Sequence, residues 1–229
     1  GLNRVIDRKI DALNPRTKGR EIPSGKIKVL DALVLSAIGL CLMVFAAYKL
    51  NPLCFRLSPL AIAIVAFYSY TKRFTWASHF VLGIALSGAP LGAWMALRGS
   101  FDVEILPLVI AVTLWLPGFD VLYALQDMDF DRKHRLFSFP VRFGKGKTLV
   151  FSRVLHFISW GLLVLTGAVF DLGLFYWTGM AAAGGLFIYE HSLLRGEHIE
   201  KNVMAFFNMN GYISITVFVF TLIDYLLPL

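Results

Sequence analysis

Long apolar runs separated by short polar segments dominate the chain from residue 29 onward. A helix that crosses the hydrocarbon core of a membrane needs about 20 predominantly apolar residues. Seven runs suit this length, and they cover residues 29–50, 53–70, 76–97, 105–125, 149–170, 172–193 and 203–227. The pattern therefore predicts an all-α fold, a polytopic membrane helix bundle with seven complete spans.

The composition agrees with a lipid environment. Hydrophobic residues make up 57% of the 229 residues, only 16% are charged, and the mean hydropathy is +0.67. A soluble domain of this length is usually less apolar and more highly charged. We therefore expect an integral protein of the cell (inner) membrane whose surroundings are membrane lipid.

The charges are unevenly placed between the spans. Seven spans put the segments 1–28, 71–75, 128–148 and 194–202 on one membrane face, and these segments hold most of the 22 Lys and Arg residues. Lys and Arg accumulate on the cytoplasmic side of membrane helices. The net charge of +7 is thus interpreted as orientation, with the long basic loops in the cytoplasm. No nucleic-acid-binding motif accompanies it, so no nucleic acid partner is expected.

A first polar cluster lies before the first span. Asn3, Asp7 and Asp11 are spaced four residues apart, which places them on one face of a helix. Two carboxylates held this close repel each other unless a cation screens them, and hard oxygen ligands are those that Mg²⁺ takes. A solvated helix end with the aspartates paired to Arg8 or Lys9 is the alternative, and the residues alone leave both open.

A second cluster lies at the end of the fourth predicted span. Asp120, Tyr123, Asp127 and Asp131 recur at intervals of three and four residues, and so share one helical face. Asp120 lies seven residues before Asp127, about 10 Å deeper along the helix. A carboxylate at that depth is costly and indicates a functional site by default. A buried Asp120 satisfied by a Tyr or Arg remains open, whereas Asp127 and Asp131 together favour function.

The two clusters resemble the motifs of the UbiA superfamily of intramembrane prenyltransferases. The resemblance continues through Asn14-Pro15-Arg16-Thr17, Tyr70-Thr71-Lys72-Arg73 and the stretch from Tyr123 to Gly144. It covers residues 1–229 as a single domain and is nearest to the 4-hydroxybenzoate polyprenyltransferase branch and its menaquinone-pathway relatives. It implies nine helices around a central cavity, so the chain is expected to be N-terminally truncated, without the first helix and most of the second. Arg4 stands where many relatives carry a further Asp.

The resemblance also implies roles for individual residues. The expected ligands of Mg²⁺ are Asp7, Asp11, Asp127 and Asp131, with the metal bridging to the diphosphate of a polyprenyl diphosphate donor. The expected substrate-binding residues are Asn3, Arg16, Arg20, Tyr70, Lys72, Arg73 and Arg142. Of these, the last two are candidates to pair with an acceptor carboxylate. The expected catalytic residues are Asp120, Asp127 and Tyr123, for proton removal and for stabilising an allylic cation.

The expected function is magnesium-dependent transfer of a polyprenyl chain to an aromatic acceptor, with 4-hydroxybenzoate or a related aromatic acid in ubiquinone or menaquinone biosynthesis as first choice. A prenyltransferase of the same type with another acceptor is one alternative. A membrane transporter with Asp120 and Asp127 as a cation relay is another. Two acidic clusters with basic loops on the same face favour the enzyme over the transporter.

Overall fold

The computed structural model describes residues 1–194 and 199–227, without the side chains of 199–205 and 207. All regular structure in this part of the chain is helical. The α-helices are α1 (Leu2–Ile6), α2 (Arg8–Leu13), α3 (Val29–Leu50), α4 (Pro52–Thr71), α5 (Ser78–Arg98), α6 (Leu106–Tyr123), α7 (Met128–Lys133), α8 (Phe139–Val169), α9 (Leu174–Ser192) and α10 (Ile199–Leu226). Short 3-10 turns at Val103–Ile105 and Ala124–Asp127 flank α6. The predicted all-α membrane fold is confirmed.

Every predicted span corresponds to a helix, but the number of strongly apolar ones differs. Six stretches within the described residues are long and apolar enough to cross a membrane, and they contain α3, α4, α5, α6, α8 and the greater part of α10. The seventh, α9, is not among them, and its last turn carries Glu190 and His191. Of the predicted basic connection 194–202, residues 195–198 lie outside the described residues.

A tight corner joins α3 to α4 and ties both to α5. Asn51 lies at the corner in an extended conformation, and its side-chain oxygen accepts a hydrogen bond of 2.9 Å from the backbone N–H of Cys54. Pro52 occupies the first position of α4, where a missing N–H costs nothing. The side-chain amide of Asn51 also donates to the carbonyl of Met95 at 2.8 Å. The corner is therefore held by hydrogen bonds to α4 and to α5.

Helix α6 packs against α5 and α8 in the middle of the bundle. Polar side chains of α8 satisfy backbone carbonyls of α6 around Pro117: Ser152 donates to Gly118 at 2.6 Å, and Ser159 donates to Ala111 at 2.8 Å. Hydroxyl groups that bridge helices in this way are typical of membrane bundles. They hold the end of α6, and hence Asp120, in a fixed position.

The two acidic clusters do not lie on continuous helices, so the prediction of one unbroken helical face for each is wrong. Helix α6 ends at Tyr123 and continues as a 3-10 turn to Asp127 before α7 begins. At the N-terminus, α1 and α2 are separated at Asp7. A 3-10 turn also brings residues three positions apart to one side, so the spacing still gathers the acidic side chains.

Candidate active site

One end of the bundle encloses a cavity of about 160 Å³. It is formed by α1 and α2, the loop that follows them, the facing ends of α4 and α5, and the end of α6 with its 3-10 turn and α7. The cavity, hereafter the acidic cavity, is lined by Asn3, Asp7, Ile10, Asp11, Asn14, Arg16, Thr17, Arg20, Tyr68, Ser69, Lys72, His79, Asp120, Tyr123, Ala124, Asp127, Phe130, Asp131 and Leu136.

The structure brings most of the predicted site residues to this wall. The ten that line it are Asn3, Asp7, Asp11, Arg16, Arg20, Lys72, Asp120, Tyr123, Asp127 and Asp131. The first cluster and the second cluster therefore face the same space, although more than 100 positions separate them along the chain. A single ligand in the acidic cavity can contact both.

Three predicted substrate-binding residues lie outside the cavity wall. Tyr70 is 47% exposed on the outer face of α4. Arg73 follows the end of that helix, where its guanidinium covers the Tyr70 ring and approaches Asp7 at 3.4 Å from outside. Arg142 is exposed and lies over the Phe143 ring. Direct contact of these three side chains with a ligand in the acidic cavity is therefore not supported by their positions.

Arg16 joins the loop of the first cluster to the second cluster. Its guanidinium contacts both oxygens of Asp127, with Nε at 2.9 Å from Oδ1 and Nη2 bonded to Oδ2. Nη1 donates to the hydroxyl of Tyr123 at 2.6 Å. The hydrogen bond to Asp127 raises the pKa of Arg16, so this side chain stays charged. Asn14 completes the contact by donating to Asp127 at 2.9 Å.

Within the described part of the chain, two carboxylate oxygens in the acidic cavity are buried without a hydrogen-bond partner. Asp11 uses one oxygen to accept from Arg20 at 2.7 Å, and its Oδ2 has no partner. Asp131 Oδ2 also has none, with Lys72 Nζ at 3.9 Å. A buried charged oxygen left unpaired is costly, and such oxygens are the ligands that Mg²⁺ takes. The residues present therefore fit a divalent cation.

The charges of the residues that line the acidic cavity also favour a bound cation. Asp7 adds a further carboxyl, and burial raises its pKa while Arg73 opposes that shift. Among the described lining residues, five aspartates face three Arg and Lys side chains. A cavity with this excess of acid repels a diphosphate unless cations enter with it.

His79 and Asp120 form a contact that the sequence did not predict. His79 Nδ1 lies 2.7 Å from Asp120 Oδ2, and the ring is 1% exposed. His79 Nε2 faces the backbone N–H of Phe139 at 3.4 Å, which assigns the proton of a neutral ring to Nδ1. Asp120 is thereby held by a donor at the inner end of the acidic cavity. The only sequence signal was a histidine at the start of an apolar span.

Comparison with known proteins places this geometry in a family. The sequence model of the UbiA prenyltransferase family matches residues 1–212. The 4-hydroxybenzoate octaprenyltransferase of Vibrio campbellii is 33% identical over 225 residues, which cover 98% of this chain and 78% of the relative. The enzyme of the same name from Aeromonas salmonicida is 32% identical over 228 residues, covering 99% and 78%.

Solved structures agree with the sequence relatives. The apo structure of a UbiA homolog from Aeropyrum pernix K1 superposes with a TM-score of 0.87 at 30% identity, covering 98% of this chain and 83% of that one. Digeranylgeranylglyceryl phosphate synthase gives a TM-score of 0.72 at 25% identity, covering 97% and 78%. The predicted resemblance is confirmed, and the chain belongs to the UbiA prenyltransferase family.

Proposed function

We propose that the chain transfers a polyprenyl group from a polyprenyl diphosphate to an aromatic acceptor, with 4-hydroxybenzoate as the first choice. One observation carries the proposal: two carboxylate clusters and three basic side chains face one cavity at the end of a membrane bundle. The names of the bacterial relatives support the acceptor. The basic loops around the acidic cavity support a position on the cytoplasmic side of the membrane.

Asp7, Asp11, Asp127 and Asp131 are the residues that would hold Mg²⁺. The unpartnered oxygens of Asp11 and Asp131 support this assignment. Bound Mg²⁺ would neutralise the diphosphate and stabilise it as a leaving group. The guanidinium of Arg16 and the ammonium of Lys72 would position the remaining phosphate oxygens. A guanidinium suits this role because it can donate to two oxygens at once.

The inner wall of the acidic cavity suits the chemistry that follows. As the allylic C–O bond breaks, positive charge develops on the prenyl carbon, and the ring faces of Tyr68 and Tyr123 can stabilise it. The acceptor ring then forms the new C–C bond and must lose a proton. Asp120 would take this proton, and the contact of its carboxylate with His79 Nδ1, which holds its orientation, supports this role.

A different acceptor is the second candidate. The structural neighbour digeranylgeranylglyceryl phosphate synthase has the same fold, and its name indicates a glyceryl phosphate product. The two acceptor classes are separated by supplying labelled polyprenyl diphosphate with either 4-hydroxybenzoate or a glyceryl phosphate acceptor. Formation of the aromatic product supports the first choice, whereas product from the glyceryl phosphate alone would replace it.

The decisive experiment compares two aspartates that are two positions apart. The side chain of Asp131 is 2% exposed at the acidic cavity, whereas that of Asp129 is 92% exposed. Asp131→Asn should lower Mg²⁺-dependent transfer roughly 100-fold, as loss of a metal contact does, and Asp129→Asn should retain it. Equal activity of the two variants would contradict the proposed site. Failure of the wild-type chain to bind polyprenyl diphosphate would favour the transporter alternative.

A further inference from the structure

A second group of metal-binding residue types lies inside the bundle, apart from the acidic cavity. His156 projects from α8, and Glu190 and His191 are consecutive residues near the end of α9. One potential ligand atom from each lies within 4.8 Å of the others. His156 is 1% exposed and Glu190 is 0% exposed. None of the three lines the acidic cavity, and the proposed transfer reaction does not use them.

The distances suit a tetrahedral metal. His156 Nδ1 lies 3.0 Å from His191 Nε2 and 3.5 Å from Glu190 Oε2. Zinc–ligand bonds of about 2.0–2.1 Å in a tetrahedron separate neighbouring ligand atoms by about 3.3 Å. The two observed separations lie on either side of that value. The third separation, between Glu190 and His191, is within 4.8 Å, so these two side chains would move closer together around a bound metal.

Hydrogen bonds already orient two of the ligands. His156 Nε2 lies 3.3 Å from the carbonyl of Trp115, so Nε2 carries the ring proton and Nδ1 presents its lone pair to the cluster. Asn210 donates to Glu190 Oε1, and Trp115 Nε1 in turn donates to Asn210 at 2.7 Å. Metal-binding histidines and carboxylates are commonly held by such outer contacts.

The carboxylate of Glu190 gives an independent reason to expect a cation at the cluster. Its Oε2 is fully buried and has no hydrogen-bond partner among the residues that the structure describes, although its Oε1 is bonded to Asn210. A carboxylate enclosed within a membrane bundle is costly unless a cation or donor meets it. This oxygen lies 3.5 Å from His156 Nδ1, which also lies 3.0 Å from His191 Nε2, so a metal ion bound here would contact all three side chains.

We propose that His156, Glu190 and His191 bind one divalent transition-metal ion, with Zn²⁺ as the preferred ion. Two histidines and one glutamate are a known zinc ligand set, with a fourth position left for water. The ion would join α8 to α9 and, through Asn210 and Trp115, would link both to α10 and α6. Trp115 and Asn210 also line a groove of about 610 Å³ between α6 and α10.

The test uses the full chain in detergent, first treated with a chelator and then titrated with Co²⁺ in the presence of excess Mg²⁺, added to occupy the acidic cavity. We expect the visible absorption of a four- or five-coordinate Co²⁺ site that saturates at one equivalent and disappears when Zn²⁺ is added. Glu190→Gln and His191→Gln should each weaken Co²⁺ binding at least about 100-fold. His134→Gln, on a histidine outside the cluster, should bind Co²⁺ like the wild type.

Two further readouts distinguish metal binding at this cluster from metal binding in the acidic cavity and from nonspecific binding at the protein surface. Asp131→Asn should leave the Co²⁺ spectrum unchanged, because Asp131 belongs to the acidic cavity. Zn²⁺ should raise the unfolding temperature of the wild type but not that of Glu190→Gln, which keeps the size of the side chain. Absence of the spectrum, its loss in Asp131→Asn, or its survival in both cluster variants would overturn the proposal.

Discussion

Arg16 connects the loop after α2 to the second acidic cluster. It spans 111 positions of sequence to contact both oxygens of Asp127, and it also binds the hydroxyl of Tyr123. The guanidinium is 29% exposed and the carboxylate 7%, so the pair is partly shielded from water. A hydrogen bond to a charged partner in such a place contributes about 1.5–3 kcal/mol. Arg16 therefore fixes the geometry of the site before any ligand binds.

Arg16→Gln should lower kcat/KM for the polyprenyl diphosphate about 10- to 100-fold, because the lost contacts correspond to about 1.5–3 kcal/mol. Lys18→Gln is the matched control, since Lys18 is exposed in the same loop and does not line the cavity. Steady-state kinetics with varied donor concentration measure the effect. Equal losses in both variants would indicate a general effect of positive charge rather than a defined contact.

Residue type and spacing were sufficient to predict the acidic wall, but not its long-range contacts. Asp127 and Asp131 could be predicted as site residues, because acidic residues at helical spacing near a membrane span are rare unless they have a function. The partner of Asp120 was not recognisable, because His79 lies 41 positions away. Arg73, after the end of α4, and Arg142, in the first turn of α8, do not line the cavity, because their guanidinium groups lie over the rings of Tyr70 and Phe143.

The contact between α5 and α6 depends on the absence of one side chain. A Cβ atom at Gly83 would lie 2.2 Å from the carbonyl oxygen of Thr113 and 2.9 Å from Pro117 Cδ. A backbone oxygen cannot move aside as the end of a flexible side chain can. The two helices approach closely here because glycine permits it, and the approach positions the start of α5 against the end of α6.

Gly83→Ala should lower the free energy of unfolding by about 1–3 kcal/mol through overpacking. Gly88→Ala, five positions along the same helix, meets no atom within 4 Å and should be neutral or slightly stabilising because alanine favours helix. Thermal unfolding in detergent compares the two. Similar melting temperatures for both variants would contradict the close packing.

Helix α8 contains a break at Gly144, where φ is +80° and ψ is 166°. This conformation is essentially restricted to glycine. Gly144→Ala should therefore lower the unfolding free energy by about 1–3 kcal/mol, while Gly146→Ala, without a positive φ, should have little effect. Circular dichroism during heating measures both. An unchanged melting temperature for Gly144→Ala would show that the break is not required.

Periodicity predicted the helices better than their interruptions. The predicted and observed spans agree from α3 to α6 because a membrane span needs a long apolar run, which is visible in any sequence. The 3-10 turn from Ala124 to Asp127 leaves no comparable mark, since its three-residue repeat is close to that of an α-helix. The break at Gly144 is likewise invisible, because glycine is tolerated both inside helices and between them.

The direction of the whole bundle in the membrane can be tested with single cysteines. Lys18 lies beside the acidic cavity, whereas Ser100 follows α5 at the opposite end. In a background without Cys41 and Cys54, an impermeant thiol reagent added to intact cells should label Ser100→Cys and not Lys18→Cys. The basic loops would then face the cytoplasm. The reverse pattern of labelling would contradict this orientation, and labelling after cell lysis serves as the control.

The ion pair between Arg16 and Asp127 would make binding of the proposed donor and binding of the proposed metal depend on each other. It engages both oxygens of Asp127. A diphosphate that attracts Arg16 would free the carboxylate for a cation, and a cation on Asp127 would free Arg16 for the diphosphate. Each ligand would thus raise the affinity for the other by the same factor. Before the donor binds, Arg16 would thus act as an internal counterion that keeps Asp127, but not Asp11 or Asp131, from a metal ion.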